Sequence, residues 1–485
     1  MLCVTFMPQG VSVEVEPGTS LLSAQIQAGL HPDAPCGGKG TCGKCRVRLG
    51  QQEVLACQTP VIQPMTVWLP EKESTVILTQ GLEISARPDG QALYTAAFDI
   101  GTTTLVGFLL DGTTGQELAC ASTLNPQTQY GADVISRIQT VLESPQTPMR
   151  ACILQALDTL TRSLARQAGI DPAQITCAAL VGNTAMHHLL LGIDPRPLVT
   201  PPYMPRQTQS LTLDAKTLLP ISGQVRILPN IAGFVGADTV GCLTATRFDR
   251  RQALTLMIDI GTNGEMVLGD CRRRVACSTA AGPAFEGAKI SQGMRGSPGA
   301  IDHVSVQGGG LAYHVIGEQE AKGLCGSGLL DLIACLLELG VLDESGYLEG
   351  KAYTLPGTAV TLTQADVREV QLAKAAIRAG IELMCSHLQV RPEQIQSVLL
   401  AGAFGNYLTP RSACRIGMIP PCLLEKIQPI GNAAGAGAKL CALSQQEFAY
   451  SETLAAQTEF LELASKPDFQ DRFVDALEFC EEDDP

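Results

Sequence analysis

Four cysteines within the first sixty residues have the spacing of a metal-ligand set. Cys36, Cys42, Cys45 and Cys57 lie in CGGKGTCGKC and a following LAC, as C-x5-C-x2-C-x11-C. The plant-type pattern for a 2Fe–2S cluster is C-x4-C-x2-C with a distant fourth cysteine, one residue shorter in its first gap. Gly37, Gly38, Gly40 and Gly43 let a short loop wrap closely around such a cluster. They also free backbone N–H groups to point at the sulfurs, which stabilises the reduced, more negative state. Zinc is the competing occupant, since a C-x2-C pair often marks a zinc site. Zinc sites usually use two such pairs and this stretch has one, so the four thiols are read as 2Fe–2S ligands. Most of the other cysteines, Cys120, Cys152, Cys177, Cys335, Cys385 and Cys441 among them, are scattered singly through apolar stretches. They read as small buried hydrophobes in a reducing compartment.

Phosphate chemistry is written twice. YTAAFDIGTTTLVGFLLD (94–111) and LTLMIDIGTNGEMVLGD (254–270) are both an apolar strand ending in Asp-Ile-Gly-Thr, a turn and a returning strand. Such a repeat points to duplicated halves. Asp99 and Asp259 end their strands with carboxylates that can hold Mg2+, directly or through water. Gly101 and Gly261 permit tight turns. The N–H groups and hydroxyls of Thr102, Thr103, Thr104 and Thr262 can bind phosphate oxygens. One such turn would say little; two in matching strand context imply a nucleotide clamped between two lobes.

The elements that must position these residues are legible too. LCVTFM and VSVEV alternate as two strands joined across Gln9 and Gly10. PGTSLLSAQIQAGL reads as a helix capped by Thr19 or Ser20. KCRVRL, QEVLAC and MTVWL supply further strands. This order resembles a β-grasp ferredoxin, and the longer first cysteine gap is similar to that of vertebrate-type and hydroxylase-type ferredoxins. A polar linker with Pro and Gly follows. The expected division is a β-grasp domain over 1–82, a linker over 83–93, one lobe over 94–253, a second over 254–448, and a C-terminal helical segment with an acidic tail over 449–485.

The paired hairpins resemble the actin, sugar-kinase and heat-shock-chaperone superfamily, the ASKHA fold (ribonuclease-H-like lobes). The resemblance implies a multi-domain α/β protein and ATP as ligand. It also implies a first phosphate loop from Asp99 to Thr104 and a second from Asp259 to Glu265, which takes in Asn263 and Gly264. SVLLAGAFGNYL (397–408) is similar to the adenosine loop, with Gly402 and Gly405 opening the turn. GLCGSGLLDLIACLLELG (323–340) and GNAAGAGAKLCAL (431–443) resemble helices that pack closely where the lobes hinge.

Four further segments narrow the family: LVGNTAMHHLLLGIDP (180–195), NIAGFVGADTVGCL (230–243), STAAGPAFEGAKISQGM (278–294) and QADVREVQLAKAAIRAGI (364–381). With the cysteine domain, they resemble the reductive activators of corrinoid-dependent methyltransferases. The resemblance implies that ATP drives an electron from the 2Fe–2S cluster onto an inactive cob(II)amide in a corrinoid partner protein, restoring cob(I)amide, with an upstream electron donor. Larger members carry an extra domain between cluster and ATPase. Here Cys57 to Asp99 leaves room only for the end of the β-grasp and a linker, so partner and oligomeric state stay open.

Single residues divide between two readings. Asp238 either orients an attacking water or caps a helix start. Asn183, after an apolar strand, lines a nucleotide or partner cleft. Glu286 and Lys289 sit on an expected helix beginning, where they contact adenosine or are helix-surface charges. His187 and His188, in an apolar MHHLLL run, read as core histidines rather than cobalt ligands.

Net charge −14 and 4% aromatic residues argue against a nucleic-acid partner. The N-terminus has no signal-like pattern and no run of eighteen apolar residues occurs, which gives the expectation of a cytoplasmic protein without a membrane partner. Three other functions compete: an activator of a radical dehydratase, a small-molecule kinase with a redox-sensing domain, and a redox-switched binding protein.

Overall fold

The computed structural model describes residues 1–480 apart from 31, 33, 35, 41, 42, 71–81, 83, 85, 86, 145 and 262. Strands β1 (Leu2–Met7) and β2 (Val11–Val15) pair antiparallel and bury Val4, Phe6 and Val15, as alternation requires. Ser20 caps the helix Leu21–Gln27 by accepting the Ser23 N–H. After the cysteine loop come β3 (Arg46–Leu49), β4 (Gln52–Leu55) and β5 (Met65–Trp68). The sheet order β2-β1-β5-β3-β4 sets β5 parallel to β1, the β-grasp arrangement expected.

Two larger sheets repeat one plan. The first is built from β6 (Tyr94–Ile100), β7 (Thr104–Asp111), β8 (Glu117–Leu124), β9 (Ile175–Gly182), β10 (Leu211–Asp214) and β11 (Gln224–Ile227). The second begins with β12 (Thr255–Ile260), β13 (Gly264–Gly269) and β14 (Arg274–Thr279). A small sheet of β15 (Ala300–Gln307), β16 (Gly310–Val315) and β17 (Gly323–Leu324), and a hairpin of β18 (Ala352–Thr354) and β19 (Thr361–Thr363), are inserted. The large sheet then resumes with β20 (Ser397–Ala401), β21 (Ile427–Gly431) and β22 (Glu459–Phe460). The orders β10-β11-β9-β6-β7-β8 and β21-β20-β12-β13-β14-β22 correspond. Each has an antiparallel three-strand meander followed by parallel strands on its inner side, β9 and β11 in one and β20 and β21 in the other. The repeat read in the sequence is therefore a structural duplication.

An apolar core with members from both sheets, including Val106, Phe108, Met257 and Leu399, also takes in the helices Ala237–Thr246 and Ala433–Leu443. Those helices cross at glycines: a β-carbon on Gly437 would stand 2.1 Å from the Gly241 carbonyl oxygen. The 431–443 segment thus packs between the lobes as expected. The helix Gly326–Glu338 does not; it packs in the second lobe's own core beside β15, because its apolar residues meet Ile301 and Val304 there.

The C-terminal region also differs from expectation. The helix Gln445–Ala456 runs through the expected break at 448, and β22 pairs parallel with the outer edge of β14, where unpaired backbone groups need partners. Asp89, near the end of the linker, accepts from Ser444 Oγ at 3.0 Å and the Gln445 N–H at 2.5 Å. Residues 481–485 of the acidic tail lie outside the described residues. Among the described residues, no helix is long and apolar enough to cross a membrane.

Candidate functional site

The two Asp-Ile-Gly-Thr turns face each other across a cleft of about 320 Å3. Its floor is acidic. Asp99, Asp238, Asp259 and Glu265 all line it. Burial, then the charge of Asp238, pushes Asp99 up to about 7. Burial and the charges of Asp238 and Asp99 bring Asp259 to about 7 as well. Burial raises Asp238 to about 6, and Glu265 is held well above its ordinary range by burial and by Asp238 and Asp259. The four carboxyl groups are half-buried, and for Asp99, Asp259 and Glu265 a neighbouring charge adds to the effect of burial, a repulsion that a divalent cation would relieve. As they stand, among the described residues no three such side chains are grouped closely enough to hold a metal ion. Asn432 tempers the repulsion from the second lobe: its Nδ2 donates to Asp99 Oδ2 at 3.0 Å while its Oδ1 accepts the Gly435 N–H that begins the next helix.

Gly402 has φ +81°, and a β-carbon there would stand 2.4 Å from Asp259 Oδ1. The backbone can pass that carboxylate only as glycine.

The first Asp-Ile-Gly-Thr turn is braced from behind. Its carbonyls are held in turn: Gly101 by Asn125 Nδ2 at 2.8 Å, Thr102 by Arg137 Nη2 at 2.5 Å, and Thr103 by the Asn125 N–H at 2.8 Å. In a trans peptide the next N–H points the opposite way. Those of Thr102, Thr103 and Thr104 are therefore aimed away from Asn125 and Arg137, as an anion-binding loop requires. Arg137 is fully buried. Its burial lowers it to about 10, so it remains a cation at neutral pH. Across the cleft, Thr103 Oγ1 donates to Glu286 Oε2 at 2.6 Å, linking the lobes. A stacked pair, Phe285 and Phe404, with centroids 4.9 Å apart and planes 5° apart, forms an apolar wall.

At the other centre, Cys36, Cys45 and Cys57 converge. Burial, a hydrogen bond to Cys45 and the nearby charges of Cys45 and Cys36 push the Cys57 thiol up to about 11, while the Gly40 N–H directed at its sulfur pulls the other way. The loop curls through left-handed glycines, and a β-carbon on Gly38 would meet Leu22 Cδ2 at 3.1 Å and Cys57 Cβ at 3.9 Å. Neighbouring thiols in a glycine cradle with an N–H aimed at sulfur are the kind of donors a 2Fe–2S cluster takes, and in chemistry they fit that group; among the described residues, no three of them stand close enough together to hold a metal ion as they are. Cys42 lies outside the described residues.

Three family models match in succession: the 2Fe–2S iron–sulfur cluster binding domain over residues 4–62, the RACo middle region over 94–251, and the C-terminal domain of RACo, the ASKHA domain, over 253–485. The corrinoid activation enzyme RamQ of Eubacterium limosum is 31% identical, with 96% of this chain and 97% of that protein covered. The chain belongs to this family of corrinoid activators. In sequence, the [Co(II) methylated amine-specific corrinoid protein] reductase of Methanosarcina barkeri is 26% identical over 70% of this chain and 68% of that protein. Among solved structures, a reductive activator for corrinoid, iron–sulfur protein matches with TM-score 0.74 and 28% identity, covering 99% of this chain and 98% of that one.

Within this corrinoid-activator fold, Asp99, Gly101, Thr102, Thr103, Thr104, Asp238, Asp259, Gly261, Asn263, Glu286 and Gly402 come together on the cleft as the sequence led one to expect. Thr262 lies outside the described residues. Asp238 sits in the first turn of its helix after the cap Gly236; its Oδ1 accepts the Thr239 N–H at 2.7 Å, and the residue also lines the cleft. Asn183 lines the cleft as expected and has a second job as well. It caps the helix Thr184–Leu191, and its Nδ2 donates to Thr102 Oγ1 at 2.9 Å.

Other residues are not brought there. Lys289 points outward, its side chain 62% exposed and 3.8 Å from Glu369. The expected helix beginning is only a short 3-10 turn, Pro283–Glu286, ended by left-handed Gly287, so Lys289 and Glu286 diverge. Gly405 packs on Leu400 and Gly264 beside Thr279 and Ile377, so both serve packing behind the cleft wall. Asn125, Arg137, Asn432 and the two phenylalanines went unread; the N-cap pattern of Asn432 before a small-residue helix was their one sequence signal.

His187 and His188 are core residues of this activator chain. His188 Nδ1 donates to the Thr184 carbonyl, and its Nε2 accepts the Arg206 N–H at 3.2 Å. His187 is buried, and burial lowers it to about 3. A folded value below the unfolded one stabilises the fold above pH ~6.5, an advantage lost as pH falls toward ~3. His187→Leu is expected to flatten the fall of melting temperature between pH ~6.5 and ~4 relative to the parent. Parallel curves would refute a titrating core histidine.

Proposed function

We propose that this chain is an ATP-dependent reductase that reactivates a corrinoid protein by passing one electron to its cob(II)amide and so regenerating cob(I)amide. The observation that carries the reading is the union, in one chain, of a crowded thiol loop and an acidic phosphate cleft between matched lobes, along the whole length of proteins named as corrinoid activators. Cys36, Cys42, Cys45 and Cys57 would hold a 2Fe–2S cluster, which when bound supplies a single electron at low potential, near about −400 mV for plant-type clusters. Delivery to a lower-potential acceptor costs roughly 1.4 kcal/mol per 59 mV for one electron. A nucleotide that binds one arrangement of the lobes more tightly can offset this.

In the cleft, Thr102, Thr103 and Thr104 would cradle phosphate oxygens, and Asp99 and Asp259 would hold Mg2+ directly or through water. Asp238, at about 6, suits a group that accepts a proton from water as that water attacks the terminal phosphorus and the bond to ADP breaks. The Phe285–Phe404 wall and the Gly402 turn would receive the adenosine. Working compartment and upstream donor follow the sequence expectation, a cytoplasmic protein served by a separate low-potential donor.

The test uses anaerobic protein with reduced cluster and a corrinoid protein held as cob(II)amide, followed by visible spectroscopy. Cob(I)amide should appear with MgATP and not without it. Cys57→Ser is expected to lose the cluster's visible absorption and all cob(I)amide formation, yet still hydrolyse ATP. Reduction of cobalt that is indifferent to ATP, or phosphate transfer to a small acceptor, would overturn the proposal.

A further inference from the structure

The cysteine-bearing stretch is hydrogen-bonded to one lobe and lies close against the other. On one side, Lys44, next to Cys45, donates from Nζ to the Gly293 carbonyl at 2.7 Å. On the other, a β-carbon built on Gly37, next to Cys36, would stand 3.5 Å from the Tyr130 carbonyl oxygen.

Each anchor is one short step from the nucleotide cleft. Gly293 precedes Met294, Arg295 and Gly296, all cleft-lining. It bridges Leu324, whose N–H bonds to the Gln292 carbonyl at 2.9 Å and whose carbonyl accepts the Met294 N–H at 2.9 Å. Beyond Leu324, residues 325–327 line the cleft as well. Tyr130 precedes Gly131, whose carbonyl accepts Arg137 Nε at 2.8 Å, and the same guanidinium holds the Thr102 carbonyl of the first phosphate loop. The fully buried Arg137 leaves that linkage little freedom to slide.

We infer that Lys44 is the positioning residue that ties the cysteine-bearing domain to the wall of the nucleotide cleft, and that cleft occupancy sets through it how firmly that domain is docked. The inference rests on the ATP-driven reading above and assigns it a route. A ligand against Met294–Gly296 and the first phosphate loop orders the backbone that offers the Gly293 carbonyl to Lys44 and steadies Tyr130, beside which Gly37 lies. The lysine then grips a steadier acceptor. Coupling of this kind is reciprocal, so a docked loop strengthens nucleotide binding by the factor by which nucleotide strengthens docking.

The experiment follows amide hydrogen exchange over residues 36–45 of the cluster-loaded protein, with and without a non-hydrolysable MgATP analogue, beside the analogue's dissociation constant. In the parent, the analogue should slow loop exchange about 5-fold, the low end of ordinary coupling. Lys44→Met should erase that response and weaken analogue binding by a similar factor, with the cluster spectrum unchanged. Lys44→Arg, which keeps a donor, should restore both. Full retention of the response in Lys44→Met, or a parent that binds the analogue without any loop response, overturns the inference while leaving the ATP-dependent activity standing. A parent that binds no nucleotide overturns both.

Discussion

Asp259→Asn is expected to cut ATP-dependent cobalt reduction at least about 100-fold while making the nucleotide-free protein harder to melt above pH ~7. The activity loss follows from removing a preorganised charge in a water-poor site, where such groups are typically worth two to three orders of magnitude. The stability gain has the opposite origin. Asp259 is half-buried on the cleft, and that burial and the charges of Asp238 and Asp99 raise it to about 7. A carboxyl whose folded value exceeds its unfolded one favours folding while protonated. That contribution is complete below pH ~4 and lost as pH rises through ~7. At pH 8 an uncharged isostere should therefore recover up to roughly 4 kcal/mol, and almost nothing at pH 4. Thermal melts of both proteins at the two pH values, without nucleotide or divalent cation, read this directly. MgATP should reverse the order, because only the parent would offer the carboxylate to the cation. An unchanged melting temperature at pH 8 would mean that the four acids do not repel one another as their burial implies.

Gly437→Ala is expected to destabilise the protein by about 2–3 kcal/mol, although alanine is the better helix former. Propensity alone would favour alanine by about 1 kcal/mol in a helix interior. The new methyl, however, would stand 2.1 Å from the Gly241 carbonyl oxygen and 2.5 Å from its carbon, and backbone cannot yield as a side-chain tip does. Overpacking of this kind typically costs 1–3 kcal/mol and more when a helix must shift. The lost ground should appear as a lower denaturation midpoint with an unchanged slope, and as weaker nucleotide binding, since these helices lie between the two large sheets. A neutral or raised midpoint would show that the crossing has slack.

How far the fold was legible depended on the range of the interactions involved. The strands of the β-grasp domain announced themselves by alternation, and Ser20 by its place before an apolar helix, because those signals are local. The paired Asp-Ile-Gly-Thr turns revealed the duplication before any sheet was drawn. Local patterns misled where a segment's partner was distant. The 323–340 helix looked like a lobe connector because small residues mark close packing of any kind; its actual neighbour is β15 of its own lobe. Lys289 looked poised for a ligand, yet left-handed Gly287 breaks the turn and sends its side chain to Glu369.

Sequence alone determined the kinds of chemistry: thiols at cluster spacing, two carboxylate-ended Asp-Ile-Gly-Thr turns, glycines where a loop must curl, and apolar stretches broken by polar residues with no run of eighteen apolar residues. Spacing and periodicity carry that much because they depend on residues within a turn or a strand of one another. Tertiary structure alone decided which groups meet. Asn432 reaches Asp99 across 333 residues, and Lys44 reaches Gly293 across 249. Glu265 and Asp238 join the two expected aspartates only because two lobes close over one space. Partial burial in that cleft then raises four ordinary acids above the usual carboxylate range, an effect that no residue type carries by itself.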